Sequence, residues 1–195
     1  MARVFWGIEL SAKAVDTLVD IQDNIFWGMS DRVSLVDPHR MHISIKFVGD
    51  VSSSNLSRMI YTVSNIAVDF NSFSLYLSHL GVFPNLIKPR VVWVGIKGNV
   101  CLLGQLHSQI ENVLGNFGIP KDDFGLTPHI TLGRLKNNST YSDIKNIRKA
   151  FRGIDFESKI LVDVESISLI QSILGSRKPQ YRRLIKIPLG CLSGI

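Results

Sequence analysis

Two short stretches of this chain place an imidazole two residues ahead of a hydroxyl. In MHISIKFVG (41–49) these are His42 and Ser44, and in PHITLGRL (128–135) they are His129 and Thr131. Both stretches alternate apolar and polar residues with a period of two, as a half-buried strand does, so each histidine stands beside its hydroxyl on one face. A single His-x-Ser/Thr tripeptide means little, because serine and threonine are common and a lone strand histidine is ordinarily structural. The duplicate is more demanding. Two such strands facing each other would gather two imidazoles and two hydroxyls around one small volume.

That volume suits a phosphodiester. Imidazole titrates near pH ~6.5, so one ring can be neutral while the other is protonated. The neutral ring can take a proton from water and the protonated one can supply a departing alkoxide. Ser44 and Thr131 can donate hydrogen bonds to non-bridging phosphate oxygens, where charge develops. Neither a metal nor a cofactor is expected, since DxD and HExxH spacings are missing from the sequence.

The elements that must position these groups follow from periodicity. Residues 2–10 form a first strand. A helix with Val15, Leu18, Ile21 and Ile25 on one stripe starts after Ser11, a suitable N-cap, and stops near Gly28. A strand pair follows at 33–35 and 41–48, then a second helix through Leu56, Met59, Ile60, Val63 and Ala67, then strands at 72–80 and 90–97 flanking FPNLIKP. The order repeats: Asn99 can cap a helix carrying Leu103, Leu106, Ile110, Val113 and Phe117, and a loop then leads to the His129 strand. A short helix at about 142–151 precedes strands at 155–170 and 182–188, with LGSRKPQ as a turn. Helices interleaved with hairpin-like strands indicate an α+β fold. With the histidines 87 residues apart, nearly half the chain, we expect residues 1–195 to form a single bilobal domain, each lobe giving one motif strand to a shared cleft.

A chain of 195 residues, 45% hydrophobic and 19% charged, can bury its own core. The formal charge of +6 favours an anionic partner such as nucleic acid or a phosphorylated metabolite. Cys101 and Cys191 are too few and too far apart for a disulfide framework, so a reducing cytoplasm is expected. No run approaches a membrane span, and the N-terminus reads as a strand, not a signal peptide.

The segments RVFWGIEL, RMHISIKFVGDV, GVFPNLIKPRVVWVGI, TPHITLGRL and SLIQSILGSRKPQYRRLIKIPL together resemble the two-histidine phosphoesterase superfamily, and within it the bacterial and archaeal RNA 2′,3′-cyclic phosphodiesterases, also called 2′-5′ RNA ligases. One departure is Gln171, where family members often carry Glu. The resemblance spans nearly the whole chain. It implies the bilobal fold, metal-free chemistry and an RNA cyclic phosphate end hydrolysed to a 2′-phosphate. It also implies His42 as proton donor near the leaving oxygen, His129 as proton acceptor near the attacking water, and Ser44 and Thr131 as phosphate-binding hydroxyls. Alternatives are joining of RNA ends through a 2′-5′ linkage at the same site, an idle RNA-binding module, and a small nucleotide cyclic phosphate as substrate. A monomer is expected.

Other residues carry open expectations. By alternation Lys46 shares the His42 face and reaches the phosphate or the RNA backbone, or stands as a solvated rim lysine. Arg134 matches a basic residue that follows the family's second motif; strict alternation turns it away from His129 unless a bulge at Gly133, or a site at the strand's end, brings it in. Phe47, opposite the histidines by alternation, is expected in the core rather than as a base-stacking platform. Arg90 is expected to brace the lobe junction, contact with RNA being the alternative. Tyr181 packs or touches substrate. His39, His79 and His107 need no function. Arg177, Lys178, Arg182, Arg183 and Lys186 are expected to form a solvated basic hairpin, contact with RNA phosphates being the alternative.

Overall fold

The computed structural model describes residues 1–123, 125–153, 160–173 and 180–190. The period-two runs become β1 (Ala2–Glu9), β2 (Val33–Leu35), β3 (His42–Val51), β4 (Phe73–Phe83), β5 (Val91–Gly98), β6 (His129–Leu135), β7 (Leu161–Val164), β8 (Ser166–Ile173) and β9 (Gln180–Pro188). The helices among the described residues are α1 (Ala12–Phe26), α2 (Ser53–Val68), α3 (Val100–Gly115) and α4 (Tyr141–Gly153), with a 3-10 turn at Pro38–Arg40. Of the strand expected over 155–170, residues 155–159 lie outside the described residues, as do Arg177 and Lys178 and most of the turn between the last two strands.

Two antiparallel sheets result, ordered β3-β1-β8-β9 and β2-β6-β5-β4-β7. The expected pairing of 33–35 with 41–48 does not occur: β2 joins β6 in the second sheet and β3 joins β1 in the first. The lobes are therefore not halves of the chain. The first sheet takes two strands before residue 52 and two after residue 165, and the second is built largely from between. The helices cross over in the same way. α1 packs on β6, α4 and the 3-10 turn, while α2 and α3 pack on each other and on strands of the first sheet.

Local chemistry explains the helix limits. Ser11 Oγ accepts from the Ala14 N–H, and Ser52 Oγ from the Asn55 N–H. Asn99 holds the N-cap position of α3 without a side-chain capping bond. Thr140 and Asp143 cap α4 reciprocally, with Asp143 Oδ2 accepting from the Thr140 N–H at 2.7 Å and Thr140 Oγ1 accepting from the Asp143 N–H at 3.3 Å. The α1 stripe of Ala14, Leu18, Ile21 and Ile25 and the α3 stripe of Leu103, Leu106, Ile110 and Leu114 are buried against their sheets.

Between α3 and β3 lies a buried ionic cluster. Lys46, only 1% exposed, donates to Glu111 Oε1, to the Pro120 carbonyl at 2.9 Å, and pairs with Asp122 at 2.9 Å. Glu111 Oε1 also accepts from the Asp122 N–H at 2.7 Å. His107, Glu111 and Asp122 bring ligand-type atoms within 4.8 Å of one another, but the Lys46 ammonium already provides the positive charge there. Burial disfavours this ammonium, yet Glu111 and Asp122 outweigh it and raise its pKa. Burial likewise works against the Glu111 carboxylate, and Lys46 with the Asp122 N–H overcomes it and lowers that pKa.

Removing one member leaves the other charge uncompensated, so Lys46→Met should destabilise the fold by about 3 kcal/mol, with the double change Lys46→Met/Glu111→Leu costing less; urea unfolding measures both. The lowered carboxyl of Glu111 contributes stability that is complete above its ordinary pKa of 4.5 and is lost as pH falls through the lower folded value. Glu111→Gln should accordingly flatten the acid limb of the stability profile.

Candidate active site

The motif strands are interrupted at equivalent places. In β3, Gly7 opposes Ser44 while the next β1 residue, Trp6, opposes Lys46, so Ile45 is an extra residue. In β6, Trp93 opposes Thr131 while Val92 opposes Gly133, so Leu132 is extra. Each bulge falls one residue after the hydroxyl and reverses the facing of the residues that follow it, in β3 as far as a second bulge at Val48. It turns Phe47 and Arg134 towards the histidines and turns Lys46 and Gly133 to the back.

Two expectations are corrected by this. Lys46 does not reach the cleft; it is buried behind β3 in the ionic cluster. Phe47 is not core; it is 64% exposed and lines the cleft. Arg134 lies in the cleft with His129 and Thr131, by way of a bulge adjoining Gly133. A Cβ at Gly133 would meet the Phe26 ring and Val33 at 3.0 Å, so glycine lets α1 and β2 close onto this kink. Gln22 of α1 fixes it from behind, its Nε2 donating to the Leu132 carbonyl at 2.7 Å and the Val36 carbonyl at 2.9 Å. Nothing in the sequence flagged Gln22, because one amide within a helical stripe carries no periodic signal.

His42, Ser44, His129, Thr131, Arg134, Phe47 and Tyr181 share one cleft of about 230 Å³, whose far wall is the 34–41 segment with Asp37 and Arg40. The imidazoles are held alike. His42 Nδ1 lies 2.7 Å from the Arg40 carbonyl and His129 Nδ1 lies 2.7 Å from the Thr127 carbonyl, each two residues upstream. A carbonyl can only accept, so Nδ1 carries the proton in each ring and Nε2 is the working nitrogen. His42 Nε2 then accepts from the Ser44 hydroxyl at 3.1 Å.

Aromatic rings fix the planes of both imidazoles. Phe5 packs on His42 at 4.7 Å with Tyr181 edge-on at 5.6 Å, and Phe83 and Trp93 pack on His129 at 5.1 and 5.7 Å. Trp93 is supported by His79 at 5.5 Å and lies so close over Gly81 that a Cβ there would meet the indole at 2.1 Å. His79 thus has a packing role. Arg90 Nη1 donates to Asn137 Oδ1 at 2.8 Å beside β6.

Burial lowers the pKa of both imidazoles below 6.5. For His42 the Arg40 carbonyl opposes that shift, charge on His129 adds to it, and the Glu9 carboxylate opposes it. For His129 the Thr127 carbonyl opposes it and the Arg134 guanidinium adds to it. The charged neighbours therefore differ in sign: Glu9 favours a proton on His42 and Arg134 disfavours one on His129. Glu9 is itself held ionised; burial works against its carboxylate, but hydrogen bonds from Arg183 Nη1 at 2.9 Å and Ser168 Oγ at 2.8 Å prevail.

Two mirrored strands presenting histidine and hydroxyl to one cleft define the two-histidine phosphoesterase class. The chain belongs to the 2′-5′ RNA ligase superfamily, whose family model matches residues 12–174. A relative from Aeropyrum pernix named RNA 2′,3′-cyclic phosphodiesterase is 30% identical over 152 residues, covering 78% of this chain and 84% of the relative. Another of that name from Methanocaldococcus jannaschii is 25% identical and covers 92% and 96%. Among solved structures, TT0787 of Thermus thermophilus superposes with a TM-score of 0.77 at 25% identity, covering 96% of this chain and 98% of that one. E. coli LigT in apo form shares the fold with a TM-score of 0.70 at 20% identity, covering 96% and 97%.

The ring geometry makes a spectroscopic prediction. At pH 8, 15N NMR should show both imidazoles in the Nδ1–H tautomer, and titration should give midpoints below 6.5 for His42 and His129. A dominant Nε2–H form in either ring would contradict its bond to the upstream carbonyl.

Proposed function

We propose that the protein hydrolyses RNA 2′,3′-cyclic phosphate ends to 2′-phosphate ends, with His42 as acid and His129 as base and without a metal. The observation that carries the division of roles is the opposite charge beside the two rings. Glu9 near His42 favours the imidazolium that must give a proton, and Arg134 near His129 favours the neutral imidazole that must take one. Coupling between the rings disfavours double protonation, which widens the pH window holding one proton on the pair.

In this reaction His129 Nε2 removes a proton from water as its oxygen attacks phosphorus. The bond from phosphorus to the 3′ oxygen breaks, and that oxygen takes the proton of His42 Nε2, leaving a free 3′ hydroxyl and a 2′-phosphate. Ser44 is coupled to the proton. Neutral His42 accepts the Ser44 hydroxyl; the imidazolium cannot, so Ser44 is released to donate to a non-bridging oxygen as Thr131 does from the other strand. Arg134 offsets the charge growing on the phosphate. One chain carries both motifs, so a monomer is sufficient. End joining through a 2′-5′ linkage is the same ring opening at the same groups, with a 5′ hydroxyl attacking phosphorus in place of water.

The deciding experiment incubates purified protein with RNA ending in a 2′,3′-cyclic phosphate and identifies the terminal phosphate and any joined product. A 2′-phosphate, formed equally well in excess EDTA, is expected; loss in EDTA restored by a divalent ion would refute the metal-free route. His42→Ala and His129→Ala should each lower turnover about 10²- to 10⁴-fold in folded protein, and together by less than the product. A substrate with a highly acidic leaving alcohol should rescue His42→Ala alone; rescue of His129→Ala instead would exchange the roles. For the free enzyme, kcat/KM should follow a bell whose limbs lie below the position set by two unperturbed imidazoles. Bound phosphate, being negative, should shift the kcat bell upward.

A further inference from the structure

The charge of this protein is unevenly distributed. Residues 84–90 and 134–153 carry eight lysines and arginines against one acid, Asp143, so +7 of charge resides in 27 residues while the other 168 sum to −1. Even that acid is neutralised, being paired with Arg32 at 2.9 Å. The two segments form one surface. The Leu135 N–H donates to the Arg90 carbonyl at 2.9 Å, Arg90 Nη1 to Asn137 at 2.8 Å, and Arg148 Nε and Nη2 to the Leu86 carbonyl at 3.0 and 2.7 Å. At one end the surface enters the cleft, where Arg134 lies. At the other, Tyr141, Lys145 and Lys149 recur every fourth residue on the exposed side of α4. Tyr141 is 74% exposed, an aromatic face among cations. Two of the three basic residues of β9 are differently engaged, Arg183 with Glu9 and Arg182 with Gln171.

We infer that this surface is a single-stranded RNA track. The cleft takes the terminal cyclic phosphate, and the backbone on its 5′ side runs from Arg134 past Arg90 and Lys88 onto α4, with Tyr141 as a stacking platform for a base. Basic residues with an interleaved aromatic match what an unpaired strand offers, a regular row of phosphates and exposed base faces. The inference rests on the proposed reaction and adds that the substrate is an oligonucleotide rather than a mononucleotide.

The test compares the parent protein with the triple variant Lys88→Gln/Lys145→Gln/Lys149→Gln, all three exposed positions outside the cleft. Substrates are a dinucleotide and a 12-nucleotide single strand, each ending in a cyclic phosphate. We expect unchanged kcat/KM on the dinucleotide and unchanged kcat on the 12-mer. KM for the 12-mer should rise about tenfold at moderate salt, and the slope of log KM against log salt should fall by about 2, since each phosphate contact on a single strand contributes about 0.7. Tyr141→Ala should weaken the 12-mer by about tenfold with little change in salt slope. An unchanged KM for the 12-mer, or equal losses on both substrates, would overturn the track. If the parent turned over no cyclic phosphate, the proposed reaction would fail, and anisotropy with a 12-mer ending in a 3′ hydroxyl would still decide this inference: weaker binding by the triple variant supports it and equal binding refutes it. Tighter association with anionic vesicles than with RNA would also overturn it.

Discussion

The cleft depends on one local constraint, the placement of an extra residue immediately after the hydroxyl in both motif strands. A regular strand would present His42, Ser44 and Lys46 in a row, and His129, Thr131 and Gly133 opposite. The bulges at Ile45 and Leu132 replace the third member of each row by Phe47 and Arg134. One wall thereby gains a flat apolar ring and the other a cation, while the displaced Lys46 is free to neutralise buried carboxylates behind the sheet. The same backbone irregularity serves the front and the back of the strand.

Asymmetry is laid over this symmetry by the neighbours. Upstream carbonyls hold both rings in one tautomer. What differs is the strand alongside: β1 ends in Glu9, opposite His42, whereas β5 places Gly95 opposite His129. Glu9 is kept ionised by Arg183 and Ser168, from strands formed near the other end of the sequence.

Much of this is legible in the residues. The two histidines and two hydroxyls declare themselves by repetition, and β2, the N-cap Ser11 and most of the apolar stripes of α1 and α3 follow from short-range patterns. Lys46 and Phe47 escape such a reading because period-two reasoning cannot sense an inserted residue; only the register with β1 reveals it. Even so, the buried partners of Lys46 leave a faint trace, since Glu111 occupies a position on the inner side of α3 where a purely apolar stripe is expected. The exchange of helices between sheets is illegible, because amphipathicity says that a helix covers something and not which sheet it covers.

The interleaving of the sheets has a consequence for synthesis of the chain. β1 occupies an interior position, between β3 and β8. Its β3 edge can be satisfied after about fifty residues have emerged, but its other edge waits for β8, beginning at Ser166. During that interval a strand carrying Phe5, Trp6 and Ile8 has one open side. The second sheet can assemble meanwhile from β4, β5 and β6, and its completion brings α1 into place from the early part of the chain. The nascent protein thus holds one finished wall of its cleft against an unfinished one, and closure of the final hairpin is both the last long-range contact and the step that supplies Arg183 to Glu9. The carboxylate beside His42 thus gains its guanidinium partner only from the last strand of the sheet.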